Sequence, residues 1–353
     1  MRHATKVAAV VAAAALGLTA CGSSSDTTTT TPAGTGAAGS AAAGGPALKI
    51  GMAYDVGGRG DQSFNDAAAA GLDKAKTELG VEGKEAAATN GEPESAREER
   101  LQQLIDAGYT NIVAVGFAYA PAVAKVAKEN PDVKFALIDS TDSKGDNIEN
   151  VTFAENEGSF LVGAAAALKT KTNTIGFVGG VETPLIKKFE VGYKAGAMAV
   201  NPSIVVKSQY LSQPPDYSGF GSVDKGKAAA DGMYQSGADI VFHAAGGSGG
   251  GVFQAAKAAG KLAIGVDSDQ ALTADAAVRD VIMTSMIKKV DVGVFDFISS
   301  VKDNSFTAGE KVFDLKAGGV DYSTTGGMID DIKSKLDDYK AKIISGEITV
   351  PKA

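Results

Sequence analysis

Tryptophan is absent from this chain of 353 residues, and only one cysteine (Cys21) and two histidines (His3 and His243) occur in it. A single cysteine closes no disulfide within the chain, and so few Cys and His build no Cys/His zinc cluster, so counting alone largely excludes redox and zinc chemistry. An excess of basic charge is missing too. The 34 Lys and Arg are outnumbered by 42 Asp and Glu, giving a net charge of −8, whereas nucleic-acid binders are basic. The apolar stretch from Val7 to Leu18 is about a dozen residues, short of the roughly 20 that span a bilayer, and no other stretch comes nearer. What is present, 44% hydrophobic and 22% charged residues, suffices for one or two domains with full-sized cores.

The first twenty residues run from a basic tip (Arg2, His3, Lys6) through the apolar stretch into Leu18-Thr19-Ala20-Cys21, then Gly22 and a run of serines. This order reads as an export signal over 1–20. Leu-Thr-Ala-Cys resembles the bacterial lipobox, in which the cysteine becomes the lipidated first residue; an ordinary secretory signal with a stray cysteine is the plainer alternative. Lipidation of Cys21 would anchor the protein in the membrane on the extracytoplasmic face. Residues 22–45, rich in Ser, Thr, Ala and Gly, lack the apolar periodicity that offsets ordering entropy and read as a tether reaching roughly 25–30 Å.

Beyond residue 47 short β-branched runs alternate with stretches of helical period. Strands are expected at 48–54, 111–117, 134–139, 149–154, 174–179, 203–210, 238–245, 261–267 and 281–287. Helices are expected at 63–79, 93–107, 119–129, 156–169, 184–199, 222–236, 250–259, 288–302 and 327–345. Continuously apolar strands between helices predict an α/β fold with mostly parallel, doubly wound sheets covered on both faces. The pattern also repeats. Lys134-Phe-Ala-Leu-Ile-Asp139-Ser140 is echoed by Lys261-Leu-Ala-Ile-Gly-Val-Asp267-Ser268, and Asn111-Ile-Val-Ala-Val-Gly116 by Asp239-Ile-Val-Phe-His-Ala-Ala-Gly246. Two similar lobes follow, each with an Asp where a strand ends. Ligands of open α/β sheets bind beyond the carboxyl ends of the strands, so facing lobes would bring Asp139 and Asp267 to one cleft. Each could instead simply cap the turn after its strand.

After the first strand comes Asp55-Val-Gly-Gly-Arg-Gly-Asp61-Gln-Ser63-Phe64-Asn65-Asp66, opening a helix. It is no dinucleotide fingerprint, since the third glycine is missing and Asp55 and Asp61 would repel a pyrophosphate. It is no EF-hand either, because the acids do not alternate and no distant Glu follows. Arg59-Gly-Asp61 matches a cell-adhesion tripeptide by chance within a glycine-rich loop. Phe64, at a helix start, can stack on a planar ligand or pack the helix to its sheet.

That loop resembles the basic membrane protein (BMP) family of nucleoside-binding lipoproteins. So do residues 179–196 (from Gly179-Gly180 through Phe189 to Gly196), Ala244-Ala-Gly-Gly-Ser-Gly249, Gly265-Val-Asp-Ser-Asp-Gln270 and Thr284-Ser-Met-Ile-Lys288. The resemblance covers about residues 47–345. It implies the two-lobed periplasmic-binding-protein fold of type I and a purine or related nucleoside in the cleft. It also implies an ABC permease as partner, a monomeric receptor and no cofactor or metal. Its motifs place Phe64 as one base-stacking wall, with Phe189 as the other ahead of Phe177 or Phe242. Asp55 and Asn65 fall at the base edge, Asp139, Asp267 and Lys288 at the ribose, and Gly246 and Gly247 where backbone approaches ligand. Lobe 1 would comprise 47–152 and about 284–315, lobe 2 would comprise 153–283 and about 316–345, and the hinges would lie near 152–156, 268–284 and 313–322.

Three carboxylates against one lysine leave such a cleft negative, suited to hydroxyl donors and hostile to a nucleotide's phosphate. Two rival readings remain open. A secreted nucleoside hydrolase would use His243 with Ser248, or clustered aspartates (Asp55, Asp61, Asp66) holding calcium. A sensor or binding protein for a sugar would keep the fold, although sugar sites usually add several Asn and Arg, and Arg is scarce beyond the early helices.

Overall fold

The structure, a computed structural model, describes residues 47–353. The signal segment, Cys21 and the tether lie outside the described residues. Twelve strands follow in chain order: β1 (Lys49–Tyr54), β2 (Glu82–Ala87), β3 (Asn111–Val115), β4 (Lys134–Ile138), β5 (Ile148–Phe153), β6 (Thr174–Val181), β7 (Val205–Ser212), β8 (Ile240–Ala244), β9 (Leu262–Asp267), β10 (Ile282–Lys288), β11 (Gly309–Phe313) and β12 (Val320–Tyr322). The helices are α1 (Phe64–Leu79), α2 (Glu94–Asp106), α3 (Ala120–Glu129), α4 (Glu155–Lys169), α5 (Pro184–Val200), α6 (Val223–Gln235), α7 (Gly249–Ala259), the single turn α8 (Gln270–Thr273), α9 (Val290–Lys302) and α10 (Lys333–Ser345).

They form two six-stranded sheets of matching design, β11-β5-β4-β3-β1-β2 and β12-β10-β9-β8-β6-β7. All pairings are parallel except β10 with β12. The inner strands β1, β3, β4, β8 and β9 are buried along nearly their whole length, because helices cover both faces. In the first lobe α1 and α9 lie on one face and α2 and α3 on the other; in the second, α4 and α5 face α6 and α7 across the sheet. No helix among the described residues is long and apolar enough to cross a membrane.

The chain passes between the sheets three times: after β5, after β10, and between β11 and β12. The second passage corrects an expectation. β10 pairs with β9 in the second sheet, register Met286↔Val266 and Ile287↔Asp267, so the crossing falls at 288–290 and neither the hinge expected at 268–284 nor a lobe boundary at 284 lies there. Three short edge strands, β2, β11 and β12, went unforeseen. Glu82-Gly-Lys-Glu-Ala-Ala87 has weak strand propensity, and charged, broken patterns are what edges carry.

Local chemistry sets the ends of the elements that matter most here. The Asp61 carboxylate accepts the backbone N–H groups of Ser63, Asn65 and Asp66 at 2.9–3.0 Å and so builds the start of α1; α1 ends on Gly80 at φ +66°. Thr183 caps α5 through the Ile186 N–H, with Pro184 in its first turn. α5 lies against α4 backbone to backbone. A Cβ on Gly163 would sit 2.1 Å from the Tyr193 carbonyl oxygen, and one on Gly196 would sit 1.9 Å from that of Phe160.

Candidate functional site

The carboxyl ends of both sheets face one cavity, the place where open α/β sheets bind their ligands. The first lobe contributes Asp55, Phe64 and Asn65 from the β1–α1 loop, Gly116 and Phe117 after β3, and Asp139 after β4. Opposite them stand Ile186 and Phe189 from α5, Phe220, Gly246 after β8, Asp267 at the end of β9 and Lys288 at the end of β10. Of the nine residues that the resemblance places at the ligand, Gly247 alone falls outside this lining. It lies one position on, where an added Cβ would be 3.5 Å from the Phe220 carbonyl oxygen.

Asp139 and Asp267 share a backbone conformation as well as a place, at φ +69° and +65°. Left-handed φ in a residue with a side chain costs energy and persists where surroundings over-determine it. Asp139 Oδ2 accepts from Lys288 Nζ at 2.6 Å, an ion pair between lobes in which both side chains are almost fully buried. Glu155, the first residue of α4 and fully buried, adds its Oε1 at 3.2 Å from the same ammonium. Asp267 Oδ2 accepts from Ser63 Oγ of the opposite lobe at 2.5 Å. The Lys288 ammonium lies 5.0 Å from the Phe64 ring centroid and 5.6 Å from that of Phe189, so the two rings converge on one charge.

Burial dominates the electrostatics. It pushes Asp139 up to about 6 despite the Lys288 charge, Asp267 up to about 7, and Asp55 up to about 6 although the Val56 N–H and nearby Arg97 oppose the rise. The pull of Asp139, Glu155 and Asp267 outweighs desolvation at Lys288 and holds its ammonium well above the ordinary lysine range. Asp61 is also raised by burial, against three backbone hydrogen bonds.

Several assignments sharpen. Phe177 and Phe242 pack on each other at 5.6 Å and on Tyr193, fully buried beneath the sheet and away from the cavity; Phe189 is the member of that trio at the cleft. Asn65 lines the cavity, yet its side chain is engaged within its own loop: Oδ1 accepts the Asp55 N–H at 3.0 Å, while Nδ2 donates to Asp61 Oδ2 at 3.0 Å and weakly to the Val56 carbonyl at 3.4 Å. Its geometry is that of a brace holding Asp55 in place. Phe117, Phe220 and Glu155 were not anticipated. Phe117 follows Gly116, the counterpart of Gly246, so the internal repeat pointed to it; Phe220 and Glu155 stand in no motif.

The pieces of a hydrolase do not meet. His243 Nε2 lies 3.0 Å from Gln270 Oε1, whereas Ser248 Oγ donates to the Gly219 carbonyl and accepts from the Ser222 N–H. Burial pushes His243 down to about 4. Asp61 and Asp66 accept backbone N–H groups of their own loop.

Residues 48–353 match the family model Bmp, described as ABC transporter substrate-binding protein PnrA-like. The chain is 38% identical over 320 residues to a CD4+ T-cell-stimulating antigen of Listeria monocytogenes, covering 86% of this chain and 87% of that one. It is 37% identical over 320 residues to the ABC transporter nucleoside-binding protein BmpA of Lactococcus lactis, covering 86% and 89%. Among solved structures, an ABC transporter solute-binding protein of Aeropyrum pernix K1 superimposes with a TM-score of 0.75 at 28% identity, covering 87% of this chain and 94% of that one.

Proposed function

From the premise that the chain belongs to the Bmp family of ABC transporter substrate-binding proteins, PnrA-like, we propose that it captures a nucleoside, most naturally a purine nucleoside, between its lobes. It then presents that ligand to an ABC permease. One observation carries the reading: two phenyl rings and a set of desolvated carboxylates converge on the same cavity from facing lobes. A flat, uncharged base fits between aromatic faces, and ribose hydroxyls donate to ionised carboxylates, which only accept. Phe64 and Phe189 are the base walls, Asp55 takes an N–H of the base edge, and Asp139, Asp267 and Lys288 bind the sugar. Gly246, at φ +53°, lets backbone approach the ligand. The name of the Lactococcus relative supports the ligand class.

Four carboxylates line the cavity against one ammonium, so a phosphate would meet net negative charge, and nucleotides are excluded. The receptor acts as a monomer, held by a lipid on Cys21 at the extracytoplasmic face of the membrane. Thermal-shift measurements with nucleosides, free bases, nucleotides and sugars, with chromatography of the same samples, test the reading. Intact nucleosides alone should raise the melting temperature. A shift with sugars only would discard the stacking argument, and release of free base would replace the receptor by a hydrolase.

A further inference from the structure

Past Asp267 the chain turns into α8, and its first residue reaches the other lobe. Gln270 is 2% exposed, and both ends of its amide are engaged. Oε1 accepts the Val266 N–H at 2.8 Å and lies 3.0 Å from His243 Nε2. An amide oxygen only accepts, so His243 carries its proton on Nε2 and donates. The Val266 N–H, which can only donate, fixes which end of the amide is oxygen, and the His243 N–H adds a second hydrogen bond that holds it there. The NH2 group points the other way, and Nε2 donates to the Gln62 carbonyl of the first lobe at 2.8 Å.

Neighbouring contacts join the same two segments. Ser268 Oγ donates to the Gln62 carbonyl at 3.3 Å, and Ser63 Oγ donates to Asp267 Oδ2. Gln62 itself sits at φ +55°. Space around the pair is shaped for it: a Cβ on Gly249 would lie 2.0 Å from His243 Cε1, and one on Gly265 would lie 2.7 Å from Gln270 Oε1. A buried histidine with Nδ1 unpartnered is a costly way to fill a core; orienting Gln270 accounts for it.

We propose that Gln270, oriented by His243, is a positioning residue that latches the closed cleft by binding the Gln62 carbonyl across it, so setting how long a ligand stays. This rests on the solute-binding reading. The Gln270–Gln62 bond joins opposite walls and exists only when they meet, so it acts on escape from the closed state while the rate of encounter is left alone.

Gln270→Glu retains the acceptor for Val266 and His243 but sets an oxygen against the Gln62 carbonyl, and Gln270→Met removes the donor without adding charge. Dissociation and association rates of inosine are measured on the full chain by rapid filtration. Amide hydrogen exchange over residues 61–66 is followed in the ligand-free protein. The latch requires inosine to leave both variants about tenfold faster, with association within twofold of the parent and faster exchange at 61–66. Dissociation within twofold of the parent in both variants overturns it, as does an equal loss in association rate. If the parent binds no inosine, the nucleoside reading is judged by the panel above and exchange alone decides the latch: faster exchange in Gln270→Met upholds it, unchanged exchange ends it.

Discussion

Asp139 and Asp267 stand at equivalent strand ends, in the same strained backbone, yet their partners differ and so should their variants. Asp139 neutralises a buried lysine, and removing it leaves Lys288 to Glu155; breaking a buried pair from one side costs about 3–5 kcal/mol. Asp267 accepts one hydroxyl and is raised to about 7 by burial, so the ligand-free protein gains little from its charge. Asp267→Ala should therefore cost about 1–3 kcal/mol of nucleoside affinity in calorimetry while moving the ligand-free melting temperature far less than Asp139→Ala does. Similar affinity in Asp267→Ala and parent would remove it from the ribose site. The aromatics divide in the same way. Phe189→Ala should weaken binding by about 1–3 kcal/mol in a protein that still melts cooperatively, whereas Phe177→Ala, deep beneath the sheet, should cost about 3–5 kcal/mol of stability; the reverse pattern would exchange their roles. The paired aspartates were legible because the sequence repeats itself around them. Asn65 was harder to read, since spacing brings a polar side chain to a loop but does not say whether the loop's own N–H groups will use it.

At the scale of elements, the buried strands announced themselves as continuous apolar runs, and every long helix was visible in its period. Three of the four edges were not. β2 and β11 have one neighbour each and little burial to enforce a pattern, β12 is only three residues long, and the crossing after β10 is invisible because a strand looks the same whichever sheet it joins. What glycine does inside α5 was likewise hidden, although Gly196 closes the 179–196 stretch that carries the family resemblance. Gly192 and Gly196 meet α4 at the carbonyls of Asn156 and Phe160, the stretch that begins with Glu155, and α5 carries Phe189 to the cavity. Gly196→Ala places a methyl 1.9 Å from a backbone oxygen, and neither helix has a flexible end there to yield. The substitution should lower stability by at least about 1–3 kcal/mol, read by urea unfolding, and loosen nucleoside binding by shifting α5. Unchanged unfolding would mean that the two helices are free to separate, contrary to their packing.

For the whole molecule, closing the lobes desolvates Asp55, Asp139 and Asp267 together with a single lysine, and stability acquires a pH dependence of definite sign. An ordinary Asp titrates near 4, and these three titrate at about 6, 6 and 7 in the fold. Between those limits the folded protein holds more protons than the unfolded chain, so stability falls as pH rises. The cost of the three charges is absent below about pH 4 and fully present above about pH 7. Carboxylates held below their usual range act in the opposite sense: Glu85, pulled down to about 2 by Arg59, Lys76 and Tyr54 in spite of its burial, contributes stability that is lost only under stronger acid. The ligand-free protein should therefore melt highest near pH 5 and lower at pH 8. Nucleoside binding should run the other way, because hydroxyl donors need ionised acceptors: occupancy favours the charged carboxylates, protons leave on binding, and affinity strengthens from pH 5 to pH 8. Melting curves at pH 5, 6, 7 and 8, with and without a purine nucleoside, give both slopes in one experiment. Asp139→Asn with Asp267→Asn should flatten both. A ligand-free melting temperature that climbs toward pH 8 would show that these carboxylates are solvated and the cleft open in solution. A thermal shift that grows toward pH 5 would mean that the ligand is met by protonated acids, and the sugar contacts would then have to be assigned to donors in the site rather than to acceptors.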